Sequence, residues 1–139
     1  MADGRTPFDV SLVTPEGAAY EGEAEMIIVP GAAGEIGVLA RHAPLVALLK
    51  AGSTRVHAGG EVREYATGPG FFKVEQNRAI ALVDDAVLAS EIDPDKAQRQ
   101  LDDAREALER LDRDEGAGGD RWQLEQRVRH AENLIEVRR

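Results

Sequence analysis

Cysteine is absent from the 139 residues, which excludes disulfides and thiolate metal sites. The absence fits a cytoplasmic protein. Aromatic residues make up only 4%, so aliphatic side chains have to fill any core. No apolar run approaches the roughly 18 residues that a membrane-spanning helix requires. The opening MADGRTPFD has neither the apolar centre of a signal peptide nor the Ser/Arg-rich character of a transit peptide. Positive charge is in deficit, with 17 Lys and Arg against 26 Asp and Glu, for a net charge of −9. That balance disfavours non-specific binding to nucleic acid or to anionic lipid, and a protein partner is expected instead. His42, His57 and His130 fall in three different expected elements with no metal-ligand spacing among them, so no metal site is expected.

Short strand patterns fill the first two thirds of the chain. Phe8, Val10 and Leu12 alternate with Asp9 and Ser11, the period of a half-buried strand. Thr14 to Gly17 reads as a turn, and Tyr20 to Val29 as a second strand, polar at Glu21, Glu23 and Glu25. Thr54 to His57 and Val62 to Thr67 flank Gly59-Gly60, a hairpin signal. Gly68-Pro69-Gly70 turns the chain into Phe71 to Val74, and Gln76-Asn77-Arg78 into Ala79 to Val83. Strands at this spacing predict a β-sandwich or flattened barrel.

The pattern then changes. Residues 1–93 carry a net −7, whereas residues 94–139 carry 12 acids and 10 bases in a dense mixture. Asp93 suits an N-cap and Pro94 the first helical position. Ala97, Leu101, Ala104, Leu108 and Leu111 form one helical stripe, and Leu124, Val128, Ala131 and Ile135 a second. Residues 113–119, with three glycines, separate them, and Asp120 is placed to cap the second helix. The expected class is α+β: a β-sandwich over 1–87 followed by an antiparallel two-helix hairpin over 88–139.

Candidate chemistry is sparse. Gly31, Gly34 and Gly37 recur every third residue and give the backbone access to φ > 0. Their spacing is not that of a dinucleotide fingerprint, and no helix follows. Glu35 and His42 could make an acid–base pair, but no nucleophile, phosphate loop or second carboxylate accompanies them, so a hydrolase is the weakest alternative. Asp84 and Asp85 read as the solvated end of a strand. Glu106 with Arg110, and Glu109 with Arg113, have the i, i+4 order that supports a solvated helix. Asp102 and Arg105 share one helical face and could be either a nucleotide contact or surface charge.

One stretch is more specific than its composition. GEIGVL, two residues, HAPL and an apolar strand ending in Gly52, together with FDVSLVTPEG at the start and GPGFFKVEQNRAIALVDDA later, resemble the epsilon subunit of bacterial F-type ATP synthases. The likeness covers nearly all of the chain. It implies a non-catalytic rotor subunit of the central stalk, with no active site of its own, in a proton-translocating complex. The sandwich would bind the gamma subunit and rest on the ring of c subunits, with Glu35 and His42 at the ring, although packing of the turn explains His42 equally well. The hairpin would inhibit ATP hydrolysis by reaching acidic loops of the catalytic alpha and beta subunits, for which Arg99, Arg110, Arg127 and Arg129 are candidates, with Arg105 and Arg121 beside them. No cofactor is required. Some bacterial members bind ATP as a regulatory ligand in the folded hairpin through a motif that Leu101, Asp102 and Arg105 match, with Arg121 as a further candidate contact, although Glu106 stands where that motif has alanine. The implied location is the cytoplasmic face of the bacterial cell membrane, peripheral and held only through the complex. A stand-alone nucleotide-sensing or protein-binding module of the same architecture is the alternative.

Overall fold

In the computed structural model, which describes residues 5–113 and 121–138, the alternation at the start of the chain becomes β1 (Phe8–Thr14). Phe8, Val10 and Leu12 are buried there, as the period requires. β2 (Gly17–Ala24) returns antiparallel to β1. The expectation of one strand from Tyr20 to Val29 is corrected here: the chain breaks at Glu25, and β3 (Met26–Gly31) begins after it. Glu25 is buried rather than solvated. Its N–H donates to the His57 carbonyl at 2.8 Å, and its carboxylate accepts the Gly59 N–H at 3.2 Å to either oxygen. A buried carboxylate requires such donors, and meeting that need bends the chain out of one layer into the next.

The remaining strands are β4 (Gly34–Val38), β5 (Leu45–Leu49), β6 (Gly52–Ala58), β7 (Glu61–Thr67), β8 (Gly70–Glu75), β9 (Arg78–Val83) and β10 (Ala86–Leu88). Three residues are too few to show a period, which is why β10 has no counterpart in the sequence reading. The order is β10-β7-β6-β3-β5-β8-β9-β1-β2, with β4 on β3. Every pairing is antiparallel except β1 with β9. β3 and β5 meet only at Gly31 and Leu49, so the sheet folds over at that corner into two layers. Two backbone bonds pin the corner, Ala32 N–H to Leu48 O at 2.9 Å and Lys50 N–H to Pro30 O at 3.0 Å. β2 comes against β6 and β1 against β10, which nearly closes the barrel.

Between the layers lie Val10, Leu12, Ile27, Val29, Val38, Val56 and Phe72, all fully buried. Phe72 is the bulky aromatic among them, Phe8 and Tyr65 add to the core, and aliphatic groups supply the rest. The buried hydroxyls of Thr54 and Thr67 satisfy each other at 2.8 Å. The Gly59-Gly60 hairpin forms as expected, with both residues at positive φ (63° and 83°).

After a 3-10 turn (Ala89–Glu91), Asp93 caps α1 (Pro94–Arg113), accepting the N–H groups of Asp95 and Lys96 at 3.0 and 3.2 Å. α2 is Arg121–Arg138. The expected cap Asp120 and the glycine loop lie outside the described residues. Ala97, Leu101 and Ala104 are buried on α1, and Ala131 and Leu134 on α2. The second stripe was expected to run through Ile135, but Leu134 is the buried residue and Ile135 is half-buried. The period of a helix sets an apolar arc, not which side of that arc is covered. Arg105 of α1 pairs with Glu132 of α2, and Asp112 with Arg121, so the helices run antiparallel. The chain divides into two compact units, residues 1–89 and 90–139.

Candidate functional site

The glycines of the central stretch answer to different needs. Gly34 alone of the three sits at positive φ, 139°. Gly31 is required by close approach: a Cβ there would lie 2.6 Å from the Gly34 carbonyl oxygen and 2.8 Å from Ile36 Cδ1. At Gly37 a Cβ would meet only Ile28 Cγ1, at 4.0 Å. Strand and turn geometry accounts for all three, and only Gly34 uses the φ > 0 that glycine permits.

Glu35 is the second residue of β4, opposite Pro30 on β3. Its carboxylate accepts from Arg55 Nη2 of β6 at 2.8 Å, and the side chains are 61% and 35% exposed. The Arg55 Nε is buried with no partner among the described residues. His42 belongs to the connection 39–44, beyond the other end of β4. Its Nδ1 lies 2.7 Å from the Ala43 carbonyl. A carbonyl can only accept, so Nδ1 carries the proton. Among the described residues no hydrogen bond or ion pair joins Glu35 to His42, and the acid–base pair considered from sequence does not form. Nor do the described residues include any group of three or more His, Asp or Glu arranged to hold a metal ion. In the same connection Arg41, at φ 64°, donates its N–H to Asn77 Oδ1 at 2.8 Å.

A second feature lies on the outer face of β5, β8 and β9. Register places Leu48 opposite Phe71, and Phe71 opposite Leu82. All three face outward, 59%, 57% and 51% exposed, and Val46 beside them is more exposed still. Across the following parallel pair, Leu82 stands opposite Val13. Strands about 4.8 Å apart make this a continuous apolar row. Elsewhere on the sandwich the Arg63 guanidinium lies over the Tyr20 ring, 5.8 Å from its centre. Burial raises the Tyr20 phenol above its usual value, and the Arg63 charge opposes that shift.

On the helices the candidate side chains are engaged with neighbours. Asp102 accepts from Gln98 at 3.0 Å, Arg105 bonds Glu132 at 3.4 Å, and Arg121 pairs with Asp112 and, at 4.0 Å, with Glu125. No hydrogen bond or ion pair among the described residues brings Asp102, Arg105 and Arg121 together. Arg110 bonds Glu106 at 2.8 Å, and that hydrogen bond holds its guanidinium charged beyond its ordinary range. Arg99, Arg127 and Arg129 are exposed, as is Trp122.

Sequence reasoning missed the partners rather than the residues: Arg55 for Glu35, and Asn77 for the loop of His42. It also missed the apolar row. One signal was available, because LVALL of β5 is apolar at every position and leaves no polar face for solvent.

Comparisons with known proteins point to one family. The family described as ATP synthase, delta/epsilon chain, beta-sandwich domain matches residues 7–89. The chain is similar to the ATP synthase epsilon chain of Rubrobacter xylanophilus, 40% identical over 99% of this chain and 94% of that one. It is likewise similar to the ATP synthase epsilon chain of Halalkalibacterium halodurans, 35% identical over 92% of this chain and 94% of that one. Among solved structures, a chain in the OSCP/F1/c-ring structure of the Euglena gracilis mitochondrial ATP synthase superposes with a TM-score of 0.75. It is 27% identical, over 98% of this chain and 85% of that one. A chain of the Tetrahymena thermophila mitochondrial ATP synthase central stalk/c-ring structure shares the fold, with a TM-score of 0.62 at 12% identity.

Proposed function

The chain belongs to the ATP synthase delta/epsilon family, and from that premise we propose that it is a rotor subunit of a proton-translocating F-type ATP synthase that couples proton flow to ATP synthesis and restrains ATP hydrolysis. It is a subunit of an enzyme complex and not itself a catalyst. The sandwich binds the gamma subunit and rests on the c ring; the hairpin acts on the catalytic alpha and beta subunits. The subunit works at the cytoplasmic face of a bacterial membrane, held there by the complex. No helix among the described residues is long and apolar enough to cross a membrane.

The observation that carries the partner role is the row Leu48, Phe71 and Leu82 with Val46. Isolated exposed apolar residues are ordinary, but an in-register row across three strands marks an interaction surface. We assign it to gamma. Of the alternatives, a stand-alone nucleotide sensor leaves the row in water without an occupant, and a protein-binding module differs only in which partner covers it. Glu35 and His42 are assigned to the c ring. They belong to opposite ends of β4, so each contact is separable by its own cysteine cross-link. Arg99, Arg110, Arg127 and Arg129 are assigned to acidic loops of the catalytic subunits, where guanidinium–carboxylate pairing is geometrically favoured. ATP is assigned to the hairpin as a regulatory ligand, through Asp102, Arg105 and Arg121.

The test is reconstitution with gamma and the catalytic subunits. Phe71→Asp places a charge in the row, where it is already solvated in the free protein, so the fold survives and gamma affinity falls at least about tenfold. The core of the first unit is built from residues 8–88. A chain ending at 89 therefore keeps gamma binding and releases ATP hydrolysis from restraint. Undiminished gamma binding by Phe71→Asp, or hydrolysis indifferent to the hairpin, overturns the respective half of the reading.

A further inference from the structure

The connection between β4 and β5 is held by a residue that does not belong to it. Arg41 lies at φ 64°, a conformation that side chains with a Cβ adopt rarely. Its N–H is satisfied by Asn77 Oδ1 at 2.8 Å, from a turn 36 residues later. Asn77 is itself at φ 60° and Gln76 at φ 50°, in a two-residue hairpin that commonly uses glycine. Asparagine tolerates that left-handed conformation, and in this turn it also supplies an acceptor. The next residue, His42, closes its ring onto the Ala43 carbonyl, and Pro44 fixes its own φ. Residues 41–44 are all exposed, yet these restraints define their path. Without the Asn77 acceptor, the Arg41 N–H turns to water and its positive φ loses the hydrogen bond that holds it.

We propose that Asn77 is a positioning residue for the loop of His42, so that loop 39–44 and the turn at Gln76 and Asn77 meet the c ring as one composite edge. This rests on the assignment of His42 to the c ring. Two substitutions separate the clasp from the turn. Asn77→Gly keeps the positive φ and removes the acceptor; Asn77→Asp keeps both.

In the full-length chain, amide exchange at Arg41 and tryptic cleavage after it are expected to rise about fivefold or more in Asn77→Gly and to stay near wild type in Asn77→Asp. In the reconstituted synthase, the yield of a His42→Cys cross-link to the c ring falls with Asn77→Gly and is retained with Asn77→Asp. Unchanged exchange at Arg41 in Asn77→Gly overturns the clasp. Faster exchange with an unchanged cross-link overturns positioning while leaving the clasp in place. No cross-link from His42→Cys in an otherwise wild-type chain removes the c-ring assignment and the composite edge with it, and the exchange data still decide the clasp.

Discussion

Gly31 has no side chain because none fits between the Gly34 carbonyl and Ile36. One of the two obstacles is backbone at the corner where β3 passes from β6 to β5, and backbone cannot give way as a rotamer can. Gly31→Ala is therefore expected to destabilise by about 1–3 kcal/mol, the range of an overpacked core. Gly37→Ala, meeting only Ile28 Cγ1 at 4.0 Å and without a positive φ, is expected to be neutral or slightly stabilising. Urea unfolding of the two variants measures the difference, and equal midpoints would refute the close-approach argument. At this scale the sequence pointed to the right stretch but could not rank its glycines, because their spacing is uniform and their surroundings are not. The same holds for Glu35. Its type and place were legible, whereas the Arg55 that holds it comes from β6, two strands along the layer.

Among elements, those with local causes were the legible ones. The Gly59-Gly60 hairpin, β1 and the start of α1 all rest on residues within a few positions of one another. Asp93 shows this most directly, since its carboxylate bonds the N–H groups two and three residues ahead. Asp93→Ala is expected to weaken α1 by about 1 kcal/mol. Hydrogen exchange should accelerate in the first turn of α1 while β1 and β8 remain protected; uniform acceleration would contradict a local cap. Elements with distant causes were misread. Tyr20 to Val29 looks like one strand because its side chains suit one, but Glu25 is drawn inside by Gly59 and breaks it. On α2 the buried position moved from Ile135 to Leu134, since periodicity cannot say which edge of an apolar arc is covered.

For the whole molecule, the residues proposed for ATP on the hairpin are already engaged in ion pairs between its two helices. Arg105 and Arg121 tie α1 to α2 through Glu132 and Asp112, so under the proposed reading ATP would have to displace interhelical ion pairs to reach them. Exposed pairs of this kind contribute little, roughly 0–1 kcal/mol each, which lets a ligand displace them but leaves modest net affinity. Glu106 adds a negative charge one residue from Arg105 and is itself neutralised by Arg110. Titration with ATP is expected to change Trp122 fluorescence saturably, with half-saturation around 1 mM, equivalent to about −4 kcal/mol. Arg105→Ala should abolish the change. A flat titration, with no heat of binding by calorimetry, removes ATP from the reading and leaves a hairpin that answers only to its protein partners.

By itself the sequence determined the α+β class, nearly every strand of the sandwich, the cap of α1 and the family resemblance. Alternation, turn chemistry and capping act over a few residues and are written where they act. The tertiary structure alone decided that Glu25 is buried, that Arg55 holds Glu35, that Asn77 holds Arg41, and that Leu48, Phe71 and Leu82 stand in one row. Each of these depends on the register between strands far apart in the chain. A shift of one residue in that register would turn the row inward and part the pairs, and no local pattern encodes it.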